Sequence, residues 1–131
     1  MTSTNERELL EVHEATRRAF LNGDLDDVAP HIGERGLTIA GGRVQEETLA
    51  EWRKRFGDVV GGATFDRWDD LEPPRIGVSA DGTMAWLVEV VRTTGSRRGA
   101  GFDTRTARLT VFERRDGRWR RVVNATTTAP E

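Results

Sequence analysis

The residues of this sequence best suited to proton transfer are its two histidines, His13 and His31. A histidine titrates near neutral pH, and it acts as an acid or a base when a neighbouring carboxylate orients its ring. Asp66, Asp70 and Glu89 are the candidate partners of His13, and a catalytic role would be acid/base work by His13 with Asp66 or Asp70. The alternative, which the sequence favours, is a histidine at the edge of the core whose ring is bonded to a backbone carbonyl. His31 follows a short predicted helix, where an exposed position is expected.

Three of the four tryptophans fall where they would line an apolar pocket. Trp52 lies on the apolar stripe of a predicted helix, whereas Trp68 and Trp86 lie on predicted strands. Large aromatic side chains also fill the cores of small domains, and the two roles are compatible because a pocket can be the unfilled end of a core. The predicted ligand-binding residues are Arg17, Trp52, Phe56, Trp68, Trp86, Asn124 and Thr126.

Charged residues interrupt the predicted strands, and a charge that becomes buried needs a partner. Glu89 breaks an apolar strand face, and Arg108 shares a strand face with Thr106 and Thr110. The sequence therefore allows a Glu89–Arg108 or an Asp66–Arg108 pair. Such a pair would form either the polar floor of a ligand pocket or a salt bridge at a rim or dimer interface, and both explanations stay open.

Composition excludes several kinds of site. The 131 residues contain no cysteine, which excludes disulfides, thiol nucleophiles and thiolate zinc sites. Two separated histidines offer no metal-ligand spacing, and the glycines of 95–101 lack the strand–turn–helix setting of a phosphate-binding loop. We therefore expect no cofactor and no metal.

The charge pattern bears on partners and location. The chain has 20 basic and 22 acidic residues, a formal net charge of −2, and arginines clustered at 97–98 and 114–121. Such clusters occur on nucleic-acid-binding surfaces, but acidic neighbours and the lack of an aromatic stacking series favour a solvated hairpin. The sequence has neither the pattern of a signal peptide nor an apolar run of about 18 residues. We expect no nucleic-acid partner, no membrane partner and a cytoplasmic location.

The hydrophobic period changes once along the chain, from helical before residue 62 to alternating after it. Helices are predicted at 6–22, about 25–29 and about 46–56, with a short strand at 37–40. Strands are predicted at 64–71, 75–79, 83–93, 104–114 and 118–127, with two Asp-Gly hairpin turns and a mobile loop at 95–101. This order predicts an α+β fold in which three N-terminal helices pack on a curved antiparallel sheet.

The alternation of side chains predicts which strand faces are buried. On the strand at 64–71, Phe65 and Trp68 are predicted to face opposite sides. The strand at 84–91 is apolar on both sides and is interrupted only by Glu89. An antiparallel strand with one wet face would alternate cleanly, so both faces are expected to be covered. Helices would cover one face and a second copy of the chain the other, which predicts a homodimer.

Three segments, in this order and spacing, resemble the nuclear transport factor 2-like superfamily, also called the SnoaL-like or ketosteroid-isomerase-like group. They are AFLNGD at 19–24, VSADGTMAW at 78–86, and DGRW at 116–119 continuing to NAT at 124–126. The resemblance covers about residues 6–128 and implies a single cone-like domain over residues 1–131, with the sheet wrapped around the first helix. It also implies a pocket between helices and sheet, and dimerisation through the outer sheet face.

The resemblance does not assign an activity, because this fold carries many unrelated functions. Its steroid isomerases use an acid near the first strand and an oxyanion hole built from a tyrosine and a protonated aspartate. This chain has no tyrosine, and residues 36–40 contain no acid, which argues against that design. The epoxide hydrolases of the fold also use a tyrosine, so their mechanism is disfavoured as well.

The function expected from these observations is that of a homodimeric small-molecule-binding protein with a semi-apolar pocket between helices and sheet. Its ligand would be small and hydrophobic or aromatic. A catalytic version would be an acid/base lyase, isomerase or cyclase. The alternative is a non-catalytic association module that binds itself or a protein partner through its sheet.

Overall fold

The computed structural model describes residues 3–130, which form two helices packed against one curved, mixed sheet. The helices are α1 (Thr4–Asn22) and α2 (Leu49–Gly61), with a 3-10 turn at Ala29–His31 between them. The strands are β1 (Ile32–Ala40), β2 (Arg43–Thr48), β3 (Ala63–Asp70), β4 (Arg75–Val78), β5 (Met84–Arg97), β6 (Ala100–Arg115) and β7 (Arg118–Pro130). Their order is β2-β1-β7-β6-β5-β3, and β4 also pairs with β5.

The α+β class is confirmed, but the prediction of three helices on an antiparallel sheet is wrong in two respects. The segment predicted as a second helix, about 25–29, leads only into a single 3-10 turn that has Pro30 near its start, and proline limits helix extension. The sheet is mixed because β1 runs parallel to β7. These two strands are far apart in sequence, and no hairpin signal links them.

Side-chain caps fix where both helices begin. Before α1, the Ser3 hydroxyl accepts a hydrogen bond from the Glu6 amide at 3.1 Å, and Gly23 ends the helix in the left-handed conformation, with φ of 69°. Before α2, Thr48 and Glu51 form a capping box. The predicted helix at about 46–56 therefore starts three residues late, because residues 43–48 pair with β1 as strand β2 instead.

Hairpins form at the two places where the sequence has an Asp-Gly pair, and a third hairpin forms where the sequence predicts a mobile loop. The two-residue Asp-Gly turn at 116–117 is confirmed, with φ of 51° and 73°. A hairpin also forms around Asp81-Gly82, but the prediction of a two-residue turn there is wrong, because β4 ends at Val78, β5 starts at Met84 and only Gly82 is left-handed. The prediction of a mobile loop at 95–101 is wrong, since β5 continues to Arg97 and β6 starts at Ala100. Arg98 and Gly99 close this third hairpin with φ of 53° and 80°, the left-handed pair that a tight two-residue turn needs.

A bulge in β3 changes which side chains meet the helices. The pairing of β3 with β5 passes from Phe65 to Arg67 and leaves Asp66 without a partner across the ladder. Such an extra residue reverses the side-chain alternation beyond it. Phe65 and Trp68 consequently both face the helices, so the prediction that they lie on opposite sides is wrong.

A second bulge lies in β7. There the register with β6 shifts at Val122, between the pairs that include Arg121 and Val123. Arg121 therefore joins the face of Asn124 and Thr126, toward the helices, rather than the outer face. These two irregularities decide which residues form the site described below.

Buried apolar side chains form two clusters on the helix-facing side of the sheet. One lies around α2, and its largest members are Trp52 and Phe56. The other joins the first half of α1 to β5, β6 and β7, and it includes Leu9, Phe112 and Trp119. Within residues 3–130, neither helix is both long enough and apolar enough to cross a membrane.

Candidate functional site

A cavity of about 260 Å³ separates the two helices from the inner face of the sheet. Its wall includes residues from α1, α2 and the strands β1, β3, β5, β6 and β7. Five residues of the predicted ligand-binding set line it, namely Trp52, Phe56, Trp68, Asn124 and Thr126. The apolar part of the wall is largely aromatic, since Phe20 packs edge-on against Phe56 with ring centroids 5.0 Å apart.

The other two predicted ligand-binding residues lie away from the cavity. Arg17 is directed to Asp69, with 3.6 Å between guanidinium and carboxylate. Trp86 lies on the outer face of the sheet, 44% exposed, with its indole packed over Gly77. The reason is the period-2 alternation of β5, which places the side chain of Trp86 opposite that of Leu87.

His13 is clamped between two carboxylates. It is 1% exposed on α1, and its ring lies 5.2 Å from that of Trp68. Its Nδ1 is 2.5 Å from Glu89 Oε2, and its Nε2 is 2.9 Å from Asp70 Oδ1. The alternative of a backbone-carbonyl partner is therefore wrong. Asp66, the other predicted partner, is exposed at the bulge and does not contact His13.

This arrangement favours the charged form of the imidazole. Burial alone would lower the pKa of His13, but the hydrogen bonds and negative charges of Glu89 and Asp70 outweigh it, so the pKa is raised above 6.5. His13 then donates from both ring nitrogens. It does not line the cavity, whereas Glu89 does. A hydrogen-bonded chain therefore runs from Asp70, whose side chain is 31% exposed, through His13 to Glu89 at the cavity wall.

Of the two ion pairs that the sequence allows for Arg108, the structure forms the one with Glu89. The Arg108 guanidinium lies 3.9 Å from Glu89 Oε1, too far for a hydrogen bond but close enough for charge attraction. Both residues line the cavity. The pair is thus part of the cavity wall rather than an exposed rim salt bridge.

Three charged or titratable residues of the cavity wall escaped the sequence prediction. Arg55 on α2 binds Glu47 through both carboxylate oxygens, at 2.6 and 2.8 Å. Arg121 lines the cavity because of the bulge at Val122, although the sequence places it in a basic cluster expected to be solvated. No local sequence signal marks that bulge.

His31 is the third, and its predicted exposed position is wrong. It is half-buried at the end of the 3-10 turn and lines the cavity. Burial lowers the pKa of His31, and the nearby charges of Arg118 and Arg120 add to this effect. His31 is therefore neutral at physiological pH.

Residues 3–130 contain no group of three or more histidine or acidic side chains arranged to hold an ion. The carboxylates nearest to His13 are already bound by its ring nitrogens.

Comparison of the fold with solved structures gives consistent matches at low sequence identity. A protein from Streptomyces avermitilis, provisionally described as a dehydratase of the nuclear transport factor 2-like family, is 11% identical with a TM-score of 0.79, over 98% of this chain and 99% of that one. A protein from Exiguobacterium sibiricum, provisionally described as a calcium/calmodulin-dependent kinase II association domain, is 14% identical with a TM-score of 0.78, over 100% and 98%.

A third match is a nuclear transport factor 2-like protein of unknown function in nutrient uptake from Rhodospirillum rubrum, 18% identical with a TM-score of 0.74, over 92% of this chain and 98% of that one. No protein-family model and no curated protein matches the sequence. Likeness at such identities establishes the fold and leaves the activity open. The chain therefore has the nuclear transport factor 2-like fold, as its sequence pattern predicts.

Proposed function

We propose that this chain binds a small molecule in the cavity between its helices and its sheet. The supporting observation is that three buried polar atoms of the cavity residues, Trp52 Nε1, Arg108 Nε and His31 Nδ1, have no hydrogen-bond partner within residues 3–130. A fourth such atom, Trp119 Nε1, belongs to a residue outside the cavity wall. Buried polar atoms are normally paired, so the placement of three of the four around one cavity favours an occupant that pairs with them. The volume is near the lower end of ordinary ligand pockets, roughly 300 Å³, and indicates a small ligand.

The test is to identify what the protein carries. We expect mass spectrometry of the purified protein under non-denaturing conditions to detect a bound small molecule. Thr126→Phe fills the cavity and should remove it. Thr127→Phe is the matched control, because Thr127 is the next residue on β7 and is exposed on the opposite face. A molecule that stays bound to Thr126→Phe would contradict the proposal.

A second candidate is that the cavity also catalyses acid/base chemistry, of the lyase, isomerase or cyclase type. The observation that favours it is the hydrogen-bonded chain of side chains from Asp70 through His13 to Glu89. A Glu89 carboxylate that touches the ligand would exchange a proton with Asp70 through the ring of His13. In this arrangement Glu89 is the catalytic residue and His13 positions it. Asp66 has no place in the chain. The substitution that tests this role is Glu89→Gln, discussed below.

The proposal includes a homodimer formed through the outer face of the sheet. Large apolar side chains on that face are exposed by about two fifths, and in the described chain nothing covers them. They are Leu37, Ile39, Met84, Trp86 and Leu109. Patches of this kind mark interaction surfaces. Two similar structures are described as association domains, which also favours self-association. In the rival hypothesis, the only function of the chain is to bind itself or a protein partner.

Light scattering after size-exclusion chromatography should give twice the mass of the chain. Leu109→Glu should give a monomer, because a charge in the centre of a dimer interface remains unpaired. Leu71→Glu is the matched control, since Leu71 is equally exposed, 42% against 41%, but follows the edge strand β3. A monomeric wild-type protein would contradict this part of the proposal.

A further inference from the structure

Two arginines in the cavity wall have unused hydrogen-bond donors. Arg121 lies over the ring of Trp52 and Arg108 over that of Phe20, each with its guanidinium carbon 5.7 Å from the ring centroid. A guanidinium carries five N–H donors, yet neither of these two groups makes a hydrogen bond to residues 3–130. Both guanidiniums are held by aromatic faces without a hydrogen bond to an acceptor, and Arg108 is in addition attracted by the charge of Glu89.

The charges around the cavity leave a positive surplus. Glu47 is bound by Arg55, and Glu89 by His13. Arg108 approaches Glu89 only to 3.9 Å, and no carboxylate in the described range forms an ion pair with Arg121. Because Asp70 also pairs with His13, the charge of Glu89 is left to compensate Arg108, and the charge of Arg121 is the one that has no counter-charge.

Arg121 remains charged in these surroundings. Burial, followed by the repulsion of Arg108 and Arg55, lowers the pKa of Arg121 to about 9, which still leaves it protonated at neutral pH. Arg121 is partly buried and is repelled by two other cations. Binding of an anion to Arg121 should therefore be more favourable in free energy than binding of the same anion to an exposed arginine.

We propose that the ligand is a small monocarboxylic acid with an apolar body, whose carboxylate accepts hydrogen bonds from Arg121 and Arg108. This inference rests on the proposed function and specifies its ligand class. A planar carboxylate matches the fork of a guanidinium, and the supply of one uncompensated positive charge fits one such group. The aromatic wall around Phe20, Trp52 and Phe56 takes the apolar body, and the volume of about 260 Å³ limits its size.

The test uses matched acids and amides as probes. Isothermal titration of benzoate and cyclohexanecarboxylate into extensively dialysed protein should show binding, whereas benzamide and cyclohexanecarboxamide should bind roughly tenfold more weakly or worse. Arg121→Met should remove this preference for the acid. Because it deletes an uncompensated charge, it should keep or raise the melting temperature of the ligand-free protein, and unfolding curves check this. Arg118→Met, on the same strand but exposed, should leave the preference unchanged.

Each result bears on the inference in a definite way. Equal binding of acid and amide would overturn it and leave small-molecule binding intact. A preference for the acid that survives in Arg121→Met would also overturn it, as would the absence of binding by every probe. The proposed function is judged separately, by the molecule that co-purifies with the protein.

Discussion

Glu89→Leu should lower the free energy of unfolding by about 3–5 kcal/mol near neutral pH, the usual cost of removing one partner from a buried ion pair. Glu89 is 3% exposed, and its two oxygens face His13 and Arg108. Leucine has a similar size but accepts no hydrogen bond, so His13 keeps only Asp70 and Arg108 loses its sole carboxylate. Chemical denaturation followed by tryptophan fluorescence measures the change.

Two control variants separate this electrostatic effect from packing. The double variant His13→Leu/Glu89→Leu removes both charges of the pair between His13 and Glu89. Because no unpaired charge of that pair remains buried, the double variant should be more stable than Glu89→Leu alone. Glu46→Leu removes an ion pair with Arg35 in which both side chains are more than 60% exposed, and it should change stability by less than about 1 kcal/mol. If the Glu89→Leu protein is as stable as the Glu46→Leu protein, the claim that the buried pairs of Glu89 stabilise the fold is wrong.

Glu89→Gln tests catalysis with the same residue. The amide keeps the volume and can accept a hydrogen bond from His13, so the loss of stability should be smaller than in Glu89→Leu. An amide does not take up or release protons at physiological pH. If the molecule that co-purifies is also converted by the protein, its turnover should fall to background in Glu89→Gln. Unchanged turnover would exclude Glu89 as the acid or base.

The parts of the fold that the sequence predicts correctly are those specified by neighbouring residues. The Asp-Gly turn at 116–117 has both residues in the left-handed conformation that a two-residue turn requires, and the buried stripe of α1 follows from helical spacing. Strand β2 differs, because residues 43–48 are extended through pairing with β1. The mixed sheet likewise depends on β1 meeting a strand that is distant in sequence, which local periodicity does not encode.

The candidate site, like the fold, is only partly predictable from neighbouring residues in the sequence. The inward position of His13 follows from helix spacing. Its pairing with Asp70 and the pair Glu89–Arg108 are among the alternatives that the need of a buried charge for a partner allows, but the sequence does not select them. The position of Arg121 does not follow from spacing, because the bulge at Val122 reverses the alternation that would place it outside. A single extra residue thus places Arg121, the cation that we propose binds the ligand, in the cavity rather than on the predicted surface.

The stability of the protein should fall as the pH rises above 6.5, because of His13. Its pKa is raised in the folded state, so above 6.5 the folded protein binds more protons than the unfolded chain does. The contribution of His13 is fully present below 6.5 and is lost as the pH rises through the folded pKa. His13→Gln should abolish this decline, as measured by denaturant unfolding at a series of pH values.

His31 provides the opposite control in the same experiment. Its pKa is lowered in the folded state, so below 6.5 the unfolded chain binds more protons, and stability should rise with pH up to that value. His31→Asn should remove the rise just below 6.5, above the range in which carboxylates such as Glu47 titrate, and retain the decline above 6.5, whereas His13→Gln should do the reverse. Because the two histidines act on different sides of 6.5, a decline above 6.5 that persists in His13→Gln would show that the clamp of Glu89 and Asp70 does not hold His13 in its charged form.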